Sequence, residues 1–251
     1  QIFRDRITNV IVLNGNAALE SQAAVPPVSD SEMSHVGRDW GTIAQQMSGV
    51  KPLALSPGIP AALETWIGGR SYPELFQEAF GTPEVSPARI AMAIATYERT
   101  LFSDRTPIDL FTGGANVLTQ AEQRGRQVFN TTTCNLCHGG PRQTNDAFIY
   151  TGVRPQNEDL GRFVVTGSPG DRGSMKVPSL RNVELHAPYM RNGRFATLED
   201  VVEFYNRGGD FTAPNKAPAM QPLNLTTQQK ADLVAFMKRP LTDARVAGES
   251  G

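Results

Sequence analysis

The sequence has few cysteines, no net charge of consequence and no long apolar run. Only two of its 251 residues are cysteine, so chemistry that needs a thiol is confined to one place. Lys and Arg number 24 against 25 Asp and Glu, and such a balance favours neither nucleic acid nor an anionic membrane as partner. Apolar runs such as residues 90–95 are far shorter than the roughly 20 residues of a membrane-spanning helix. We therefore expect a soluble protein without a membrane span.

The two cysteines are close enough in the sequence for both thiols to bind one cofactor. Cys134, Cys137 and His138 form a Cys-x-x-Cys-His motif, in which both thiols can bind one haem covalently and the histidine can ligate its iron. A thioredoxin-like redox pair would need an alternating βαβ context, and a structural zinc site would need a fourth ligand at metal spacing. The sequence offers neither, so it predicts one covalently bound haem c.

The first half is predicted to be a partial helical domain. Helices are predicted at residues 40–47, at 72–80 and most clearly at 86–102, where Ser86 can cap and Pro87 can occupy the first turn. In this last helix the apolar stripe Ile90, Ile94, Tyr97 and Leu101 is predicted to face a core. The Gly113-Gly114 pair marks a break, which predicts one domain over residues 1–114 and a second over 115–242, with a tail at 243–251.

The second half is predicted to be helical with long irregular loops, so the fold class is mainly α, and its first and last helices resemble those of class I cytochrome c haem domains. Capping boxes at Thr119 and Thr226 begin its first and last helices, and a third helix starts at Thr197. Gly125 on the first helix allows a close approach by the last helix, near Phe236. Between 138 and 197 the pattern is neither helical nor alternating, and no internal repeat is evident.

The ligand on the other side of the iron is less closely specified by the residues. The candidates are Tyr205, Met190, Met175, Met220, His186 and His35. Met220 precedes the last helix, where class I cytochromes often place a methionine ligand. Tyr205 ends an apolar stripe, and a buried phenol needs a polar partner, which can be iron or a backbone carbonyl.

Several segments resemble the bacterial dihaem cytochrome c peroxidases and the related dihaem enzyme that matures the tryptophan tryptophylquinone cofactor of methylamine dehydrogenase. The similar segments are residues 93–101, 134–139, 176–182, 187–199 and 205–209. The resemblance implies two facing haem domains, of which the C-terminal one relays electrons to a peroxide-reactive haem. It also implies that His138 and Tyr205 are the axial pair, with Met220 as runner-up, because Tyr205 matches the peroxidases' methionine position and the maturing enzyme is similar in using tyrosine there.

The resemblance also implies further site residues. Glu32 matches a glutamate near the peroxide-binding haem, and His186 and Pro188 match positions whose carbonyls hold an interdomain calcium. Met190, in the similar segment 187–199, is expected to be a haem-binding residue. Arg181, like Lys176 and Arg194, lies in the irregular region expected to wrap the haem, where a basic side chain can pair with a propionate. The family's N-terminal haem motif is absent, and Arg4 stands where the family has the tryptophan between its haems.

These observations leave two main functions open. The first is part of a peroxidase-like oxidoreductase, with an electron-donor or acceptor protein as partner and a second haem supplied by a missing segment or another chain. The second is a monohaem electron-transfer or structural subunit without catalytic iron. A third function, an oxygenase-like activity on an organic polymer, needs a five-coordinate iron beside an apolar cavity. Because bacteria attach haem c outside the cytoplasm and the sequence shows no signal peptide, we expect a mature periplasmic or otherwise extracytoplasmic chain, or part of a longer product.

Overall fold

The computed structural model describes residues 2–248 and is mainly α, as predicted. It divides into two units, residues 1–102 and 103–251. The division falls before the predicted break at Gly114, because the helix Pro107–Thr112 packs through Ile108 into the core of the second unit. Within the described residues no helix is both long and apolar enough to cross a membrane.

The first unit consists of helices and one small antiparallel hairpin. Its strands are β1 (Phe3–Arg4) and β2 (Ile11–Leu13). Its helices are α1 (Ala18–Ala23), α2 (Trp40–Gly49), α3 (Ala61–Ile67), α4 (Tyr72–Phe80) and α5 (Pro87–Glu98), with 3-10 turns at Pro26–Val28 and Arg99–Leu101. The helices predicted at residues 40–47 and 72–80 are confirmed, and Ser86 caps α5 through the amide of Arg89.

The buried face of α5 differs from the predicted one. Ala91 and Ala95 are fully buried, whereas Tyr97 is 65 % exposed and Leu101 is 59 % exposed. Small side chains let α1 approach α5 closely, and this contact outweighs the larger apolar stripe that the periodicity indicates. The predicted core position of Ile90 is confirmed, while Ile94, Tyr97 and Leu101 face outward.

Asp5 connects the hairpin to the start of α5. Its carboxylate accepts hydrogen bonds from the amides of Ile7 and Thr8 within the turn and from the amide of Ala88 in the first turn of the helix. Although burial opposes ionisation, these amide donors together hold the pKa of Asp5 below its usual range. The segment that begins the chain is thus tied to the helix that ends the first unit.

The second unit contains the haem-binding motif between two long helices. Its helices are α6 (Pro107–Thr112), α7 (Gln120–Thr131), α8 (Cys134–His138), α9 (Phe163–Thr166), α10 (Leu198–Asn206), α11 (Thr227–Met237) and α12 (Ala244–Ala247). Strands β3 (Phe148–Ile149) and β4 (Met175–Lys176) pair antiparallel, and 3-10 turns lie at Pro169–Asp171, Val183–Leu185 and Arg239–Leu241. The predicted tail extends past the described residues, and its described part starts at Asp243, which is buried.

The predicted crossing of α7 and α11 is confirmed. A Cβ atom on Gly125 would lie 1.9 Å from the carbonyl oxygen of Asp232, so only glycine permits this approach. One turn further, the rings of Phe129 and Phe236 pack with their centroids 5.3 Å apart. Arg124 forms a two-pronged ion pair with Asp232, so apolar packing and a charge-assisted contact act on the same crossing.

One helix pair recurs in both units, although no repeat was expected from the sequence. In the first unit Arg99, just after α5, binds Glu20 of α1 with an N–O distance of 2.8 Å. In the second unit Lys238, just after α11, binds Glu199 of α10 with an N–O distance of 3.2 Å. Each glutamate follows a leucine in its helix. In each unit a cation just after a long helix thus pairs with a glutamate of the helix packed against it.

Candidate haem site

Both cysteines lie on the short helix α8, half-buried and without a disulfide. Burial raises the pKa of both thiols, and Thr132 donates a hydrogen bond to Cys134 Sγ at 3.3 Å. A redox-active Cys-x-x-Cys pair has a lowered thiol pKa, so the local environment argues against a thioredoxin-like role. The thiols are held beside each other in the neutral form that precedes thioether formation.

The imidazole of His138 is oriented by two backbone carbonyls. Its Nδ1 lies 3.2 Å from the oxygen of Pro178 and 3.3 Å from the oxygen of Gln143. Because carbonyls only accept hydrogen bonds, Nδ1 carries the proton and Nε2 is left with its lone pair. Burial lowers the pKa of His138, which keeps the ring neutral near pH 7. This is the tautomer and charge state that an iron ligand needs.

The segment that supplies these carbonyls is fixed by side chains around it. Thr144 donates to the carbonyl of Val177 at 2.7 Å, and Ser179 donates to the carbonyl of Arg142 at 2.7 Å. Pro178 lies between these two hydrogen bonds. Residues 176–182 belong to the similar segments, but the sequence does not show that Pro178 orients His138. The contact is made by a backbone carbonyl, which does not depend on the type of side chain.

Arg181 connects the same segment to α6. Its guanidinium donates to both carboxylate oxygens of Asp109, at 2.7 and 2.8 Å, and to the carbonyl of Pro141 at 2.8 Å. The side chain of Arg181 is 7 % exposed. Pairing of Arg181 with a haem propionate stays a prediction, whereas its contact with Asp109, 72 residues away, was not foreseen.

The Arg181–Asp109 pair makes stability depend on pH. The hydrogen bond from Arg181 lowers the pKa of Asp109 from 3.8 to about 2. A carboxylate with a lowered pKa in the folded state stabilises the fold above pH 3.8, and this contribution is lost as the pH falls toward 2. We expect Asp109→Asn to reduce the free energy of unfolding at pH 7 by about 2 kcal/mol. The deficit should shrink between pH 4 and pH 2 in denaturant titrations.

Asp146→Asn is the matched control for this measurement. Asp146 also pairs with two cations, Lys176 and Arg142, but on the surface, where ion pairs contribute little. Its substitution should leave the free energy of unfolding nearly unchanged at pH 7. An equal loss in both variants, or a deficit for Asp109→Asn that does not depend on pH, would contradict the role of the buried pair.

Tyr205 lies in a small apolar cluster near the cysteines. The buried core of this cluster is Phe195, Phe204 and Met220, with Tyr205 and Met190 packed against it. Burial is the main reason that the pKa of the Tyr205 phenol is raised, and the proximity of Cys134 and Cys137 adds to it.

The phenol oxygen of Tyr205 makes no hydrogen bond among residues 2–248, in contrast to Tyr150, whose hydroxyl donates to the carbonyl of Arg154 at 2.7 Å. A half-buried phenol without a protein partner, next to the haem-attachment motif, is available to a ligand.

The donor set therefore fits a haem c. Cys134 and Cys137 would hold it covalently, and Nε2 of His138 and the phenol of Tyr205 would be its iron ligands. Met220 is 7 % exposed and belongs to the same cluster, so both predicted distal candidates are in one place. The assignment of the distal ligand stays a prediction.

Other candidates lie elsewhere. Glu32 and His35 are exposed in the first unit, and His186 and Pro188 are exposed on a turn before Met190. Met175 lies half-buried in β4. Within residues 2–248 no group of three or more His, Cys, Asp or Glu side chains is placed to hold a metal ion. The roles of Glu32, His186, Pro188 and Met190 stay predictions.

Comparisons with known proteins agree with this geometry. Residues 3–117 match the family model of di-haem cytochrome c peroxidase, and residues 122–239 match that of cytochrome c. The chain belongs to the dihaem cytochrome c peroxidase family. Its haem domain is therefore that of a c-type cytochrome, and the covalent haem c predicted from Cys134, Cys137 and His138 is supported by membership of this family.

The relatives include peroxidases and MauG proteins. The chain is 35 % identical over 201 residues to cytochrome-c peroxidase IdrP1 of Denitromonas iodatirespirans, covering 66 % of this chain and 53 % of the relative. It is 31 % identical over 226 residues to methylamine utilization protein MauG of Methylorubrum extorquens, covering 88 % and 57 %. The chain thus spans about half the length of the curated relatives that it matches.

A solved structure shares the fold. It is a MauG-like protein associated with microbial copper homeostasis, with a TM-score of 0.71 and 29 % identity, covering 90 % of this chain and 69 % of that one. The diheme peroxidase BthA of Burkholderia thailandensis, at 22 % identity and a TM-score of 0.62, supports the fold alone.

Proposed function

We propose that this chain passes electrons through one haem c, bound by Cys134, Cys137, His138 and Tyr205, to a peroxide-reactive haem that it does not itself contain. The second haem would come from another segment or a partner chain. The observation that carries the proposal is the phenol of Tyr205, half-buried near both thiols and without a hydrogen-bond partner among residues 2–248. A redox protein would supply the electrons from outside.

The residues around the site support a relay rather than a site that opens for substrate. Bound haem c supplies a reversible one-electron couple at its iron. The carbonyls of Pro178 and Gln143 hold His138 in one orientation. Phe195 and Phe204 pack with their ring centroids 5.4 Å apart in the apolar cluster that Tyr205 joins. With both His138 and Tyr205 as ligands, a bound haem would supply electron transfer and would leave no position for substrate.

The proposal includes an extracytoplasmic location, because covalent haem attachment in bacteria takes place outside the cytoplasm. It also includes a calcium held through the carbonyls of His186 and Pro188, which lie on an exposed turn that packs through Tyr189 and Met190 against the Tyr205 cluster. A cation on this turn would stabilise the segment that covers the distal side of the site.

A haem count and a peroxide reaction test the proposal. Produced with the haem-attachment machinery, the chain should bind one haem by mass and by haemochrome absorbance, and Cys134→Ser with Cys137→Ser should abolish the covalent bond. The reduced chain should stay reduced when hydrogen peroxide is added. It should be oxidised rapidly when a second haem-bearing segment is present in the same assembly.

Two results would contradict the proposal. Rapid oxidation of the isolated chain by peroxide would place the reactive iron within this chain. A two-haem assembly in which peroxide leaves the haem at His138 reduced would remove the relay and favour the alternative, a monohaem electron-transfer or structural subunit.

A further inference from the structure

Two segments of the second unit run past each other beside the imidazole of His138. Residues 142–144 follow the haem-attachment motif, and residues 177–179 belong to the irregular stretch before α10. Gln143 supplies one of the carbonyls that accept from Nδ1 of His138, and Pro178 supplies the other. The orientation of the ring therefore depends on how these two segments lie relative to each other.

Two side-chain hydroxyls join the segments, one on each side of these carbonyls. Thr144 Oγ1 donates to the carbonyl of Val177 at 2.7 Å. In the opposite direction, Ser179 Oγ donates to the carbonyl of Arg142 at 2.7 Å. The two pairings run antiparallel, so the residues whose carbonyls accept from His138 lie opposite each other, between the hydroxyl bonds.

Each hydroxyl is held by the backbone of its own segment. Oγ1 of Thr144 accepts from the amide of Asp146 at 3.0 Å, and Oγ of Ser179 accepts from the amide of Arg181 at 3.1 Å. In both cases the amide lies two residues further along the chain, an arrangement typical of Ser and Thr turns. The single hydroxyl proton is then directed to the other segment. The two side chains thus supply bonds between the segments at a place where Pro178 has no N–H to donate.

The backbone of Gln143 is also held by its surroundings. Its φ is 52°, in the left-handed region that residues other than glycine seldom adopt. A residue stays in such a conformation only where neighbouring contacts determine it. These contacts include the amide of Leu180, which donates to the Gln143 carbonyl at 3.3 Å, and the hydroxyl bonds of Thr144 and Ser179 on either side. The direction of the Gln143 carbonyl therefore depends on both hydroxyls.

We propose that Thr144 and Ser179 are positioning residues for the iron ligand His138 and that their hydroxyls set the reduction potential of a bound haem. An acceptor held close to the Nδ1 proton makes the imidazole a stronger electron donor to iron. A stronger donor stabilises ferric iron and lowers the potential. Each hydroxyl acts through the carbonyls, because its hydrogen bonds go to backbone groups. This inference rests on the proposed function, since the potential of this haem determines how readily it passes electrons on.

Spectroelectrochemical titration of the haem-bearing chain tests the inference. In Thr144→Val and in Ser179→Ala we expect the ferrous-to-ferric ratio at a fixed applied potential to rise about threefold, because the carbonyls lose their fixed direction. This ratio corresponds to a rise in potential of about 28 mV, at 59 mV per tenfold change for one electron. The hyperfine-shifted Nδ1 proton of His138 should also exchange with deuterium severalfold faster in both variants.

Conservative and control variants separate positioning from a general loss of structure. Thr144→Ser and Ser179→Thr keep the hydroxyl and should restore the potential of the unmodified protein. Thr166→Val removes a hydroxyl with the same local pattern, which accepts from the amide of Ser168 at 3.2 Å and donates to Asp171 at 2.8 Å. Because Thr166 lies outside the two segments, its loss should leave the potential unchanged.

The outcomes separate this inference from the proposed function. Ser179 is exposed, so Ser179→Ala is expected to keep the fold and carries the test if Thr144→Val fails to bind haem. An unchanged potential in Ser179→Ala, an equal shift in Thr166→Val, or a shift that Ser179→Thr does not reverse overturns the positioning role, even where the relay to a second haem is demonstrated. A shift that the hydroxyl-bearing variants reverse supports the positioning role, even where peroxide leaves the haem at His138 reduced and so removes the relay.

Discussion

Gly125→Ala is expected to lower the free energy of unfolding by at least about 3 kcal/mol, because overpacking against rigid backbone is costly. The added Cβ would lie 1.9 Å from the carbonyl oxygen of Asp232 and 2.8 Å from Cβ of Phe236. Neither can move without separating α7 from α11, since the nearest atoms belong to the backbone of α11. Chemical denaturation followed by far-ultraviolet circular dichroism would measure the change.

Gly49→Ala is the matched control, since Gly49 also lies in a helix. A Cβ there meets nothing within 4 Å. This substitution should leave stability unchanged or raise it by up to about 1 kcal/mol, because alanine has the higher helix propensity. The α7–α11 crossing would have to be looser than the structure shows if both variants behaved alike.

Tyr205→Met is expected to raise the reduction potential of the haem by about 0.1 V or more, because methionine stabilises ferrous iron relative to a phenolate. The ferric protein should gain the methionine-to-iron charge-transfer band at the red end of its optical spectrum. Tyr205→Phe should leave the distal position without its protein ligand and shift the spectrum toward high spin. Spectroelectrochemical titration measures the potential and the spectrum together.

Two further variants decide between the distal candidates. Tyr189→Phe removes a hydroxyl from the same neighbourhood, where it lies 3.5 Å from the carbonyl of Glu184, and should not change the spectrum. Met220→Leu should lower stability slightly and leave the spectrum unchanged. If Met220→Leu removes a charge-transfer band that the unmodified protein already has, Met220 is the ligand and Tyr205 is not.

Local sequence patterns predicted much of the helical framework. Caps at Ser86, Thr119 and Thr226 begin helices where expected, and Gly125 marks the crossing of α7 and α11. These features could be read because a cap or a required glycine depends on a few neighbouring residues. The haem-attachment part of the site was predictable for the same reason, because Cys134 to His138 is a contiguous motif.

Contacts between distant segments were not predictable in this way. The predicted inward face of α5 was wrong. Periodicity does not show whether the large apolar side chains or the small ones, Ala91 and Ala95, pack against another helix. The carbonyls that orient His138 and the pairing of Arg181 with Asp109 depend on how loops return across the unit. Such contacts carry no local pattern that could be read before the fold was known.

The ion pairs that α7 makes with α11 and with the 3-10 turn after it have a consequence for folding. Arg124 and Asp232 are 108 residues apart, and Glu122 and Arg239 are 117 apart. Contacts of such high sequence separation form late in folding, after most of the loop-closure entropy has been lost. The core around α8 can close only once α11 has been synthesised. Until α11 crosses α7, we expect Cys134 and Cys137 to lie on an unclosed chain that the haem-attachment machinery can reach.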